Sequence, residues 1–419
     1  MSTLDQLFPP GRRVVLLDGG MGTTLQAPPF ELPLDSALWS SELLATADGR
    51  AHLDRLHRTW IDAGADVVET CTYQSSLPLF LPASGSPSPA DVSAALTTMT
   101  AALPVAIAAC ANSPAASHAR VALSLGPYGA ALQPGQEYTG AYPPPFGPAA
   151  TAVRDTRPAG SDRARAVAPL PLDAVRRAGA ATSTDEVEAH LAAWHLQRLA
   201  QFAQSDAWRD VAIVAFETVP SLAEIRAIRR AVHVFRSDPA APTPPKPFYI
   251  SLVLPRSMPV GTETKEDDVR FPDPALAHLD SLDAQLALLA VALLGGEDGL
   301  AVPAALGFNC TSPLAALGVV RALSAAVTAH SPACPDTTLP RPWLVLYPDG
   351  GAVYDVRTRT WSHPAGLTDA TWAAHVADAV DTALESAVWG GVLAGGCCKA
   401  GPGAIRALAD ECRRRGWRE

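Results

Sequence analysis

Val211-Ala212-Ile213-Val214-Ala215-Phe216-Glu217-Thr218-Val219-Pro220-Ser221-Leu222 holds the unit from which the rest of the fold is read. Residues 211–216 are apolar and partly β-branched, with no polar alternation, as expected of a strand buried on both faces in a parallel sheet. A carboxylate, Glu217, closes the run. Pro220 and Ser221 then bring first-turn and capping chemistry to a helix that opens at Leu222.

The same unit recurs outward in both directions. Strand-like runs stand at 14–17, 66–69, 120–125, 248–254, 304–308, 343–347 and 391–394, and helical patterns at 51–63, 185–202, 221–234, 274–294, 313–327, 369–388 and 403–415. Eight such alternations predict an α/β fold, a closed (β/α)8 TIM barrel, with an open doubly wound sheet as the competing arrangement. The 419 residues fit one elaborated barrel spanning 1–419, because barrels commonly exceed 250 residues as one unit. Stretches rich in Pro, Ser, Ala and Gly at 82–89 and 142–172, and a third at 237–268 that ends in a charged run, are expected to be surface-loop insertions.

Composition removes several function classes. With 48 % hydrophobic and 18 % charged residues the chain has ample material for a core. A formal net charge of −10 would repel phosphate backbones, so no nucleic-acid partner is expected. The apolar runs near 101–111 and 286–294 are shorter than the roughly 20 residues that span a bilayer. No membrane partner and a cytoplasmic location are the expectation. Seven cysteines, odd in number and unevenly spaced, do not resemble a secreted disulfide framework. Oligomeric state is not legible.

In a barrel of this kind, chemistry lies at the C-terminal ends of the strands. Asp18, Glu69, Glu217, Cys310, Asp349, Cys397 and Cys398 all fall there in the strand assignment above. Cys397 and Cys398 are adjacent, and neighbouring cysteines rarely bond to each other because the ring would strain the peptide. Gly395 and Gly396 let the backbone turn so that both thiols can face one pocket. With Cys310 they would form a three-thiolate zinc site with an open fourth position, the pattern of catalytic zinc; buried apolar cysteines are the alternative. The turn Asp18-Gly19-Gly20-Met21-Gly22-Thr23 offers amides for a substrate carboxylate. Glu217 offers a partner for a substrate ammonium.

The order of motifs resembles the homocysteine S-methyltransferase family. It rests on Leu-Asp-Gly-Gly-Met-Gly-Thr-Thr-Leu at 17–25, Thr-Tyr-Gln at 72–74, Gly-Pro-Tyr-Gly-Ala at 126–130 and Phe-Glu-Thr-Val-Pro at 216–220. Gly-Phe-Asn-Cys-Thr-Ser-Pro at 307–313, Leu-Tyr-Pro-Asp-Gly-Gly at 346–351 and Gly-Gly-Cys-Cys at 395–398 complete it. The resemblance implies Zn2+ on Cys310, Cys397 and Cys398, which act by activating a substrate thiol. It implies homocysteine contacts at Asp18, Gly20, Met21, Gly22, Thr23 and Glu217, with Asn309 beside the metal. Methyl transfer from a sulfonium donor, S-methylmethionine or S-adenosylmethionine, to homocysteine, giving methionine, is the implied reaction. A regulatory zinc-binding barrel without catalysis, or methylation of another thiol or selenol such as selenohomocysteine or selenocysteine, are the alternatives. Lys399-Ala400-Gly401 departs from the small hydroxyl residues often found after the cysteine pair, and the segment 142–172 enlarges a loop near the pocket.

Overall fold

The computed structural model describes residues 4–82, 86–113, 119–148, 154–155, 170–177, 185–256, 268–295, 298–330, 341–355, 360–362 and 367–418. Eight parallel strands form one sheet: β1 (Val14–Leu16), β2 (Val67–Glu69), β3 (Arg120–Leu125), β4 (Val211–Val219), β5 (Phe248–Val253), β6 (Ala305–Asn309), β7 (Trp343–Tyr347) and β8 (Val392–Ala394). Neighbours follow chain order, and β8 pairs with β1. Leu17 bridges Val67 in parallel and the Asp66 amide donates to the Leu16 carbonyl at 2.7 Å, which closes the ring and excludes an open sheet. The fold is a TIM barrel.

Strand periodicity sorts the core into two layers. Val15, Leu17, Val67, Ala122, Ile213, Ala215, Tyr249, Val345 and Leu393 fill the barrel, while Val14, Leu16, Val68, Phe216, Ile250, Leu344 and Leu346 pack on the surrounding helices. Eight of the helices among the described residues surround the barrel: α1 (Ala47–Ala63), α2 (Ala102–Asn112), α3 (Glu186–Phe202), α4 (Leu222–Ser237), α5 (Leu282–Leu294), α6 (Ala316–His330), α7 (Asp369–Glu385) and α8 (Pro402–Arg414). Ser221 caps α4 as its sequence predicts, accepting from the Glu224 amide at 3.2 Å.

Three features were not legible in the sequence. Leu4 and Phe8 plug the N-terminal end of the barrel, with Phe8 on Trp343 and the Trp343 Nε1–H donating to Asp5 Oδ1 at 3.0 Å. Helix Pro89–Thr100, started by a Ser88–Asp91 capping box, runs into α2. This pair is alanine-rich and apolar nearly all round, so no 3.6-residue stripe marks it. Residues 89–112 have the length and composition of a membrane span, yet Met99, Leu103 and Ala106 are fully buried in the barrel's outer core. Finally, 142–148 is not a surface loop: Tyr142 and Phe146 are buried in a separate cluster with Tyr128 and Trp194. Residues 83–85, 149–153, 156–169 and 257–267 of the expected insertions lie outside the described residues.

Candidate active site

The turns after the strands surround one cavity of about 640 Å³, lined by Asp18, Gly20, Met21, Gly22, Thr23, Glu69, Glu217, Cys310, Cys397 and Cys398. Of the sequence-predicted site residues, Asn309 stands apart from the wall, fully buried beneath it. Asp349 also lies behind the wall, where its carboxylate accepts from the Gly351 amide at 2.7 Å. Convergence therefore holds for six of the seven strand-end residues anticipated above.

Cys310 follows β6 directly, and Cys397 and Cys398 follow β8 after Gly395 and Gly396. Their three Sγ atoms lie within 4.8 Å of one another. A tetrahedral ion holding sulfurs at about 2.3 Å needs them roughly 3.8 Å apart, so the cluster has the size for one shared metal. Cys310 and Cys397 are joined as a disulfide, with Cα atoms 5.4 Å apart, whereas Cys398 is free. The proximity that lets three sulfurs share an ion also lets two of them oxidise, a pairing that sequence reading did not anticipate. Burial, then the charges of Asp349, Glu137 and Glu217, push the Cys398 thiol up to about 12. Such surroundings disfavour thiolates unless a cation joins them.

Backbone conformation aims these groups. Thr218, Cys310 and Lys399 adopt left-handed φ angles of 61°, 47° and 65°, which cost a non-glycine residue about 1 kcal/mol or more and gather at functional sites. The first sits in an irregularity of β4 between Phe216 and Val219, of the kind that redirects side chains beside active sites. Asn309 locks the arrangement. Its Oδ1 accepts from the Thr218 amide at 2.8 Å and the Ser251 hydroxyl at 2.6 Å, and its Nδ2 donates to Thr218 Oγ1 at 2.7 Å and reaches Cys397 Sγ at 3.8 Å. The glycine turn is tied to the cysteine loop: the Gly20 amide donates to the Ala400 carbonyl at 3.0 Å and the Lys399 amide to Thr23 Oγ1 at 2.8 Å.

Beside the sulfurs lies a carboxylate cluster. Asp18 accepts from the Glu69 amide at 2.9 Å, Glu69 from the Tyr249 hydroxyl, and Glu217 from the Ser124 hydroxyl and, at 3.3 Å, from Tyr347. Burial is the main cause that raises all three carboxyl pKa values, with Glu69 further raising Asp18 and Glu217; Glu69 itself reaches about 7. Three carboxylates in a nearly cation-free pocket wait for a positive charge. Glu69, Ser124, Tyr249, Ser251 and Tyr347 are the contributors that sequence reading did not assign to substrate. Four of them are inward-facing strand residues, indistinguishable from ordinary strand residues until the barrel is closed.

The sequence profile of the family described as homocysteine S-methyltransferase matches residues 15–412. The chain belongs to the homocysteine S-methyltransferase family. The family's reaction makes it a methyltransferase with homocysteine as acceptor. Homocysteine S-methyltransferase of Escherichia coli (strain K12) is 27 % identical over 398 residues, covering 94 % of each chain. Two crystal structures of the homocysteine methyltransferase MmuM from Escherichia coli share the fold at 22 % identity. The oxidized form gives a TM-score of 0.57 with 98 % of this chain and 99 % of that one covered; the metallated form gives 0.54 with 96 % of each.

Proposed function

We propose that this protein transfers a methyl group from a sulfonium donor, S-methylmethionine or S-adenosylmethionine, to homocysteine, with zinc held by Cys310, Cys397 and Cys398. The observation that carries the reading is the meeting of three sulfurs within 4.8 Å beside a carboxylate cluster at the C-terminal mouth of the barrel. The metallated form of the Escherichia coli enzyme supports a metal in this family. Zinc, when bound, supplies a Lewis acid that lowers the pKa of an incoming thiol from its ordinary value of about 8.5.

The chain's own residues do the rest. Cys310 and Cys397 must first be reduced, since a disulfide offers no thiolate. Asn309 then holds the cysteine loop in register through Cys397. Asp18 and Glu217 take the ammonium of homocysteine, and the amides of Met21, Gly22 and Thr23 take its carboxylate, the Gly20 amide being held by the Ala400 carbonyl, so that the thiol points toward the cysteines. Both ends of the amino acid are thus held before the methyl group arrives, and catalysis becomes largely a matter of orientation. Transfer from a cationic sulfonium to an anionic sulfur cancels opposite charges and calls for no protein base.

The test is Cys397→Ser in reduced protein. Elemental analysis should show zinc lost, the methionine-formation assay should fall to background with every donor, and the thermal transition should persist. A zinc-free variant with full activity would refute the mechanism. Parallel assays with S-methylmethionine, S-adenosylmethionine and betaine identify the donor.

A further inference from the structure

The loop after β3 brings one more carboxylate to the cavity wall, and the acceptor site has no use for it. Glu137 lines the same cavity as Cys398. Its Oε2 is shut off from solvent and has no hydrogen-bond partner among the described residues. A buried carboxylate oxygen without a donor is costly. Burial raises its pKa to about 7, which shows how poorly the free protein solvates it.

The surrounding chain keeps Glu137 where it is. Glu224 of α4, itself fully buried, accepts from the Tyr128 amide at 2.7 Å and from the Tyr142 hydroxyl at 2.6 Å, so one carboxylate pins both ends of the loop. Inside the loop, the Gln136 amide donates to the Gly129 carbonyl at 3.0 Å and the Gly140 amide to the Gln136 carbonyl at 2.9 Å. Glu137 Oε2 folds back over Gly135, where a Cβ would displace it. A rigid loop that holds an unpaired carboxylate in a cavity wall is built for a ligand.

We propose that Glu137 is the donor-specificity residue, its carboxylate receiving the ammonium group of a sulfonium amino acid. The inference rests on the reaction proposed above. Homocysteine brings a single ammonium, which Asp18 and Glu217 already serve; a second ammonium enters only with the donor. Glu137, Tyr73 and Glu217 line the same cavity. The choice of ammonium over sulfonium follows from hydrogen bonding. A sulfonium has no proton to donate, whereas an ammonium has three, one of which would satisfy Glu137 Oε2.

The experiment uses reduced, zinc-loaded full-length protein. Wild type, Glu137→Gln and Glu137→Asp are titrated calorimetrically with S-methylmethionine, homocysteine and a dimethylsulfonium propionate, which lacks the amino group, and KM and kcat are measured for each donor. Loss of a buried charge pair should weaken S-methylmethionine binding by about tenfold or more in Glu137→Gln, raising its KM, with zinc content and homocysteine affinity as in wild type. Glu137→Asp should fall between, and the wild-type preference for the amino donor over the propionate should vanish in Glu137→Gln. Unchanged S-methylmethionine affinity overturns the proposal, as does a loss that appears in homocysteine or zinc binding instead. If wild type binds homocysteine but no sulfonium, the donor class falls and Glu137 with it. If wild type uses S-methylmethionine and Glu137→Gln does so equally well, only Glu137 falls.

Discussion

Glu69→Gln should stabilise the protein above neutral pH while weakening its grip on substrate. Burial pushes the Glu69 carboxyl from an ordinary 4.5 up to about 7, and the Tyr249 hydroxyl offsets only part of that. A pKa displaced that far corresponds to about 3 kcal/mol. The native carboxyl keeps a proton between pH 4.5 and 7 that the unfolded chain has already lost. Native stability therefore falls as pH rises through that window and stays penalised above it. Glutamine keeps an acceptor oxygen for Tyr249 and abolishes the ionisation. The variant should match wild type to within about 1 kcal/mol at pH 5 and exceed it by about 3 kcal/mol at pH 8. For a chain of this length, that gain raises the melting temperature by about 3–4 °C. Scanning calorimetry of metal-free protein at the two pH values checks it. A gain of equal size at both, or none at pH 8, would show that ionisation of Glu69 is not what strains the pocket.

Two further substitutions separate substrate contact from loop support. Glu217→Gln, isosteric and keeping one acceptor oxygen for Ser124 or Tyr347, should weaken homocysteine binding by about two powers of ten with zinc retained; an unchanged calorimetric titration removes Glu217 from the acceptor site. Glu224→Gln removes the charge that holds Tyr128, Tyr142 and, at 2.9 Å, His195 Nε2. Hydrogen exchange should speed up at the amides of 128–142, and the donor KM should rise more than the homocysteine KM; equal protection in both proteins would show that the loop is held by its apolar cluster instead.

The barrel was legible because its strands are apolar runs and five of the eight close on a chemically distinct residue. Apolar β-branched runs mark the strands, and Asp18, Glu69, Glu217, Cys310 and Cys397 mark where those five should stop. Helix α2 was not legible, since an alanine-rich helix that is apolar on its exposed side as well as its buried one presents no stripe to count. The 142–148 segment reads as a Pro-rich loop because its prolines outweigh Tyr142 and Phe146, which find their partner only when Tyr128, itself packed on Trp194 of α3, is brought against them. Tyr249, Ser251 and Tyr347 are a subtler case. Each sits at an inward strand position, so its polar tip becomes meaningful only after eight strands bring it opposite Glu69, Asn309 or Glu217.

What the sequence pattern leaves open, and geometry decides, is how strand ends become a site at all. A regular parallel strand alternates its side chains between barrel interior and helix layer, and neither orientation suits a group that must face upward into a cavity. The left-handed turns at Thr218, Cys310 and Lys399 break that alternation next to Glu217 and within the cysteine cluster. The strain is repaid locally: Asn309 satisfies both the amide and the hydroxyl of Thr218, the Cys310 amide donates to the Tyr347 carbonyl at 3.2 Å, and the Lys399 amide finds Thr23. Each hydrogen bond joins a different pair of strand-end loops. The cysteine cluster, the carboxylates and the glycine turn are therefore held by one another more than by their own strands, so a change in any one of these loops should disturb the other two.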